Sequence, residues 1–559
     1  MDNRWSHSRR RFFTSAALVT GATLLNGCVR RIPAWLPQAN PDYPLTIDVH
    51  CHFFNGTDLE MAGFISRTVN DQGKPWAGPD AAAVVQDIEW GIAPTAKSEK
   101  SKLKTSEGSR EKAREKWRKA HAVQSNKLRE QLQKPGAQAD LRAHGMAVPT
   151  KQSNNNEPVK NGGLEAALKE YVQFRYVALF DYLELYNNDP STNRTIDLAI
   201  THLVDYDWAL SEGDRTRSPL NDQVELMKRI SIASHGRVHT FAPFCPLREV
   251  AFRAGLHGKH TRNWSSLQMV QKWVSDGECI GVKMYPPMGF APYGNEQIPP
   301  DFWDSAKWQW LKNLDPRNVP GKNGGAATIG QRLDEVLGEF YEWCLKEDVP
   351  VMAHTDLSNG LNTDFNTFTA AKYWTALASK YGKLRLNFGH LGDFEDTTAS
   401  DWTTPPGTTR DVNARDLVAL MSADATASGG RFYGDSGYTD CILTKFEDLK
   451  NTYEKALTWT APGQSRPVLP DRILYGSDWS LLMLVDDMKA YFAEFVRMYS
   501  EIDPTGKLSA KFFGGNAVEY LGLQDGRTRK RLLDFYAKYQ VKFEKDQQPM
   551  WMRKIAAKA

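Results

Sequence analysis

The sequence predicts an α/β chain folded as a distorted (β/α)8 TIM barrel, with long insertions after strands one and four. Three observations carry the prediction. Eight short runs of β-branched and apolar residues recur along the chain, and segments of helical periodicity stand between them. The side chains able to do metal chemistry fall where those runs end, and strands alternating with helices imply a parallel sheet whose strand ends converge at one face.

Taken in order, the first element is an address. "SHSRRRFFTSAALVTGATLLNGCVRR" has a basic start, a short apolar run and a small-residue end. Ser8, Arg9, Arg10, Phe12 and Phe13 resemble a twin-arginine export signal, and "LNGC" resembles a lipobox whose cysteine, Cys28, becomes lipidated. Residues 1–28 therefore read as a cleaved signal and 29–44 as a linker. The mature chain is expected in the periplasm or cell envelope, tethered to a membrane by lipid at Cys28. No other run is apolar and long enough to span a bilayer.

The barrel is expected over 45–523. Its strands read "LTIDVH" (45–50), "IDLAITHLVD" (196–205), "VHTFAPF" (238–244), "CIGVKMY" (279–285), "VPVMAH" (349–354), "LRLNFGH" (384–390), "GRFYGDS" (430–436) and "RILYGSD" (472–478). The insertions run over about 54–195 and 286–326. The first carries a basic charge run over 96–134 that reads as a solvated face, and the second carries Trp303, Trp308 and Trp310. Both follow the C-terminal ends of strands, so both are candidates for a lid or substrate wall. Residues 524–559 read as a helical tail, packed on the barrel or on a second copy in a homodimer.

The bulk numbers exclude more than they assign. With 70 Lys+Arg against 67 Asp+Glu the net charge is +3, which argues against a nucleic-acid partner. The six cysteines form no CxxC pair, so neither a zinc ribbon nor a thioredoxin-type motif is present and no disulfide framework is expected.

The informative stretch is "DVHCHFF". Side chains two apart share a strand face, so His50 and His52 should point together, with Asp48, while Cys51 points away. His354 closes strand five, His390 strand six and Asp478 strand eight. Three imidazoles and a carboxylate suit a borderline-soft divalent ion such as zinc. Lys283 and Tyr285 share a face of strand four. Arg248, in "FCPLRE", could clamp a substrate carboxylate or serve a surface or capping role. His202 reads as structural, Asp393 as a partner that orients His390, and Asp435 as a polar rim residue.

This order of HxH, Lys, His, His and Asp, with "GVKMYPPMGF", "FGHLG", "ILYGSDW" and "FFGGNAVEYLGL", resembles the amidohydrolase superfamily. More narrowly it is similar to the amidohydrolase-related branch that includes aminocarboxymuconate-semialdehyde decarboxylase-like proteins. The resemblance implies one divalent metal, zinc or else manganese, on His50, His52, His354 and Asp478, with His390 beside it as a catalytic group. A second metal would follow if Lys283 were carboxylated as a bridge; otherwise Lys283 holds a substrate carboxylate or is structural. Asp478 would take a proton from the activated water and return it to the leaving group. The reading is a small-molecule hydrolase acting on an amide, ester or lactone. A non-oxidative decarboxylase or hydratase is the alternative, and an inactive envelope binding protein the alternative from another class.

Overall fold

The computed structural model describes residues 39–557, apart from 104–166 and 315–326 and short breaks at 70–72, 77, 168–169, 188, 214–215, 259–262, 313, 404–411, 429 and 540–547. The signal, Cys28 and nearly all of the basic run lie outside the described residues.

Eight parallel strands run in the order of the chain: β1 (Ile47–Cys51), β2 (Leu198–His202), β3 (Val238–Pro243), β4 (Gly281–Met284), β5 (Val351–His354), β6 (Leu386–Gly389), β7 (Phe432–Asp435) and β8 (Ile473–Leu474). Seven lie within their predicted runs, and β1 extends one residue past its own, to Cys51. β8 is only two residues long, yet the sheet closes beyond it. Val49 N–H donates to the Tyr475 carbonyl at 3.0 Å, and Ser477 N–H donates to the His50 carbonyl at 3.0 Å. The fold is an α/β (β/α)8 barrel.

An apolar cluster fills the lumen, with Ile47, Val49, Leu198, Ile200, Phe241, Met352 and Leu474 contributed by different strands. Its lower end is sealed by the tail, which packs on the barrel. Trp551 is fully buried and donates to the Gly236 carbonyl, while Lys554 pairs with buried Asp197 at 2.8 Å. Around the sheet, amphipathic helices present apolar stripes to the strands. In Ile329–Glu347, Leu333, Val336, Leu337, Phe340, Tyr341 and Cys344 recur at three- and four-residue spacing and are buried, and a Thr328/Gln331 capping box starts the helix.

The first insertion is docked through one buried cation. The Arg175 guanidinium meets Asp58 at 2.7 Å and Glu99 at 2.8 Å, and reaches the Asn55 side chain at 3.1 Å. Helix Arg175–Asn187, helix Ala96–Lys102 and the loop after β1 are thereby held together. A paired buried guanidinium is costly to unpair, so this docking fixes the loop that follows His52.

The tryptophans of the second insertion do not form a ligand wall. Trp303, Trp308 and Trp310 are buried in the packing between loops, with Trp303 donating to the Gly289 carbonyl and Trp308 to the Ala209 carbonyl. Their burial leaves little ring surface for a ligand. The five described cysteines are free, and no helix of the described residues is long and apolar enough to cross a membrane.

Candidate metal centre

A bulge in β1 builds the centre. Asp48 stands opposite Ala199 and Cys51 opposite Thr201, so β1 takes three steps where β2 takes two. The extra residue breaks the alternation. Val49 belongs to the lumen cluster, yet His50 and His52 both face the upper end of the barrel. Asp48, expected beside the histidines, is turned away. It accepts from Tyr182 Oη at 2.6 Å, the His50 N–H at 3.0 Å and the Ser477 N–H at 3.1 Å. Burial pushes its carboxyl up to about 7.

His50, His52 and Asp478 form one buried group whose candidate ligand atoms all lie within 4.8 Å of one another. Asp478 Oδ1 is 3.2 Å from His52 Nε2 and 3.8 Å from His50 Nε2. The other ring nitrogens fix the tautomers. His52 Nδ1 sits 2.8 Å from the His202 carbonyl, which can only accept, so Nδ1 carries the proton. His50 Nδ1 likewise donates to Asp435 Oδ1 at 3.0 Å. In the neutral rings both Nε2 atoms then offer lone pairs toward a carboxylate oxygen. Burial, with Lys283 next, holds His50 well below its ordinary value, so that ring is neutral. Acceptors converge on acceptors, and Asp478 Oδ1 has no hydrogen-bond donor of normal geometry. Such a set is repulsive unless a cation lies among its members; two imidazoles and a carboxylate fit a divalent ion of borderline softness.

Asp435 aims the first ligand and is no rim residue. It is fully buried, and besides His50 it accepts from the His390 N–H at 3.1 Å, the Gly437 N–H at 2.9 Å and Asn387 Nδ2 at 2.6 Å. Carboxylates behind a ligating imidazole fix its tautomer and raise its basicity. A Cβ on Gly437 would stand 2.4 Å from His50 Nδ1, so only glycine fits beside this pair.

His354 and His390 are adjacent, but differently from expectation. His390 Nδ1 donates to the Gly437 carbonyl at 2.9 Å, and its Nε2 faces His354 Nδ1 at 3.1 Å. The His390 ring lies 4.8 Å from that of His50. His354 therefore stands behind His390, outside the compact trio, and Tyr285 stacks on it at 4.3 Å. Burial, then His390, holds His354 well below its usual range. Asp393 does not orient His390. It accepts from the Leu357 N–H at 2.7 Å instead. His390 and Asp478 both hold left-handed backbone, φ 63° and 50°, a strained state concentrated at functional sites.

Lys283 is buried beside the group, its Nζ 2.7 Å from Met352 Sδ. Burial lowers it to about 8 against the pull of Asp478 and Asp435. Asp478 is drawn below the carboxylate range, against burial, by positive charge on His50 and then His52; with those rings neutral, a cation bound among the three would have to supply that pull. Arg248 is not free to clamp a substrate. Its guanidinium holds Asp205 at 2.6 and 2.7 Å and Asp207 at 2.7 Å, and lies over Trp264. His202 is structural in geometry, its Nε2 on the Val49 carbonyl at 2.8 Å. Sequence reasoning missed Tyr171, Tyr206 and Tyr438 around the centre, and the buried Glu89. Tyr206, in "LVDYDW" right after β2, had the same strand-end position as the ligands.

No protein-family profile matches the chain, and no curated protein is significantly similar to it. Among solved structures it is similar to a Lactobacillus casei protein assigned as a metal-dependent hydrolase, at 11% identity and TM-score 0.38 over 90% of this chain and 100% of that one. A 2,6-dihydroxybenzoate decarboxylase from Rhizobium matches at 13% identity and TM-score 0.33, over 65% and 97% of the two chains. A 5-carboxyvanillate decarboxylase from Sphingomonas paucimobilis matches at 12% and 0.30, over 58% and 79%. Likenesses this distant carry no argument about chemistry.

Proposed function

We propose that this protein is a metal-dependent hydrolase of the amidohydrolase kind, acting through one divalent ion, zinc or else manganese, on an amide, ester or lactone. The observation that carries the reading is the convergence of the His50 and His52 Nε2 atoms on Asp478 Oδ1, which has no hydrogen-bond donor of normal geometry. A divalent ion bound there would supply Lewis-acid polarisation and an acidified water.

The chain's own groups supply the rest. Asp478 accepts a proton at a carboxylate oxygen and returns it to the leaving group. His390, its Nδ1–H fixed on the Gly437 carbonyl, presents Nε2 toward His354, so a proton can pass along the His390–His354 pair. Lys283 sits close enough for Asp478 and Asp435 to act on its charge, which supports electrostatic compensation beneath the centre. Decarboxylation is less well supported, because Arg248 is occupied by Asp205 and Asp207.

Metal content by inductively coupled plasma mass spectrometry, wild type beside His52→Ala, tests the proposal. About one ion per chain, lost in the variant, is expected. Metal-free protein purified without chelator would overturn it, and about two ions would instead favour a carboxylated Lys283. Envelope anchoring belongs to the same proposal and rests on the Ser8–Phe13 pattern and Cys28. Palmitate labelling lost in Cys28→Ser would support it, and label retained in that variant would exclude a lipid at Cys28.

A further inference from the structure

The end of the barrel opposite the centre carries more positive charge than its own carboxylates offset. Helix Arg527–Lys538 crosses that end, with Leu532, Phe535 and Tyr536 buried against the lumen cluster. Around it stand the turns that lead into β5, β6, β7 and β8. Segments 346–348, 383–385, 431, 471–472 and 519–538 together hold ten Lys and Arg against six Asp and Glu, an excess of four.

Pairing does not cancel the excess. Asp348 accepts from Arg385 Nε at 2.9 Å and also from Arg431, and Glu347 meets Arg527 at 3.0 Å. Other guanidinium bonds go to main-chain carbonyls, from Arg431 to Lys383 at 3.3 Å, Arg529 to Leu523 at 3.0 Å and Arg531 to Glu347 at 2.8 Å. A carbonyl satisfies a donor but leaves the charge in place. Lys346, Lys383 and Lys530 are exposed, and their ammonium groups make no hydrogen bond or ion pair among the described residues. One turn after Lys530 stands Leu533, which at 47% is the most exposed large apolar side chain of the described residues.

The path of the chain points to what this face meets. Asn40 N–H donates to Thr195 Oγ1 at 3.0 Å, just ahead of β2, and Leu45 joins the lumen cluster with Trp551 of the tail. The described chain therefore enters the barrel at its lower end. Eleven residues separate Cys28 from Ala39, a reach of at most about 36–40 Å. A lipid on Cys28 would hold the lower end, and not the end bearing the centre, next to the bilayer.

Resting on the envelope-anchored reading, we infer that the lower end is a docking surface for an anionic membrane. Its unpaired Lys and Arg lie over acidic headgroups with Leu533 among them, and the metal centre faces away from the bilayer. Each cation near an acidic surface adds to the attraction, which fades within a Debye length. One lipid with a polybasic patch makes the two signals that stable attachment takes.

The test is co-sedimentation with vesicles one-third phosphatidylglycerol and two-thirds phosphatidylcholine, against phosphatidylcholine alone. The full-length Cys28→Ser chain, which cannot take the lipid, isolates the patch. It is expected to bind the acidic vesicles at least about ten-fold tighter and to release them in ~0.5 M NaCl. Lys346→Glu, Lys383→Glu and Lys530→Glu together should weaken that binding at least about ten-fold, residues 1–38 being the same in every variant. Lys307→Glu with Lys312→Glu, exposed on the insertion after β4 at the upper end, should change it less than about two-fold. No preference for acidic vesicles, binding that survives the three reversals, or an equal loss with the upper pair would overturn the inference. So would a DNA duplex captured by the same three lysines in preference to vesicles. Failure of the anchored reading shows separately, as wild-type protein that takes no palmitate.

Discussion

Asp435→Asn isolates one charge at the heart of the centre. Asp435 accepts four hydrogen bonds, three on Oδ1 from His50 Nδ1, His390 N–H and Gly437 N–H, and one on Oδ2 from Asn387 Nδ2. An asparagine whose carbonyl takes the Oδ1 position keeps the first three. Its amide nitrogen would then face the Asn387 amide nitrogen, but Asn387 Oδ1 is buried without a partner, so a flip of Asn387 restores that bond. Geometry survives and the charge behind His50 is lost. The expected cost in stability is about 1–3 kcal/mol, from weakening charge-assisted bonds. Metal affinity should fall roughly 10- to 100-fold, the usual effect of removing such a partner. Asp435→Ala, which strands all four donors, should destabilise by about 3–5 kcal/mol. Competition against a chromophoric chelator reads the affinity and urea denaturation the stability. A folded Asp435→Asn protein with wild-type metal affinity would refute the claim that Asp435 aims and charges His50.

Glu89 is fully buried on helix Pro79–Ile92 with both carboxyl oxygens unpartnered, and burial raises it from 4.5 to about 8. A raised acid binds its proton in the folded state, so its contribution is full below pH 4.5 and lost as pH climbs to about 8. That loss is at most roughly 5 kcal/mol. Glu89→Gln should flatten the wild-type decline measured by urea unfolding at pH 5 and pH 8, and parallel curves would contradict this. Asp478→Asn should keep the fold yet lower turnover of any cleaved ester or lactone by roughly 10²–10⁴-fold; turnover near wild type would remove Asp478 from proton transfer. Arg248→Ala should cost about 3–5 kcal/mol by stranding Asp205 and Asp207 while metal content stays unchanged, and lost metal with intact stability would return Arg248 to the site.

The strands were legible because each carries its own apolar run between breakers, and the ligand types because His and Asp stand at run ends. Less local features were not. Strict two-residue alternation placed Asp48 with His50 and His52, and the bulge that overrides it depends on register against β2. Asp435 looked like a rim residue because its partner His50 lies 385 positions away in the chain. Asp393 is nearer to His390 in sequence, but the left-handed run from His390 to Asp393 turns its carboxyl toward Leu357. Arg248 and the insertion tryptophans carried chemistry that suited a ligand, and only packing reveals that protein groups already occupy them. His354 was recognisable as a member of the centre, but its place behind His390 is a matter of ring orientation.

The seam that joins the last strand to the first has a consequence in time. Ser477 N–H reaches Asp48 across 429 residues, so the two halves of the centre lie at opposite ends of the barrel sequence. At ribosomal rates of roughly 5–20 residues per second, the two histidines emerge about 20–90 s before the carboxylate that completes their grip. Throughout that interval the nascent chain offers a two-nitrogen site with weak hold on any ion. On the proposed metal reading, tight and selective loading follows barrel closure, and the ion would be a cofactor of the finished protein and not a nucleus for its folding.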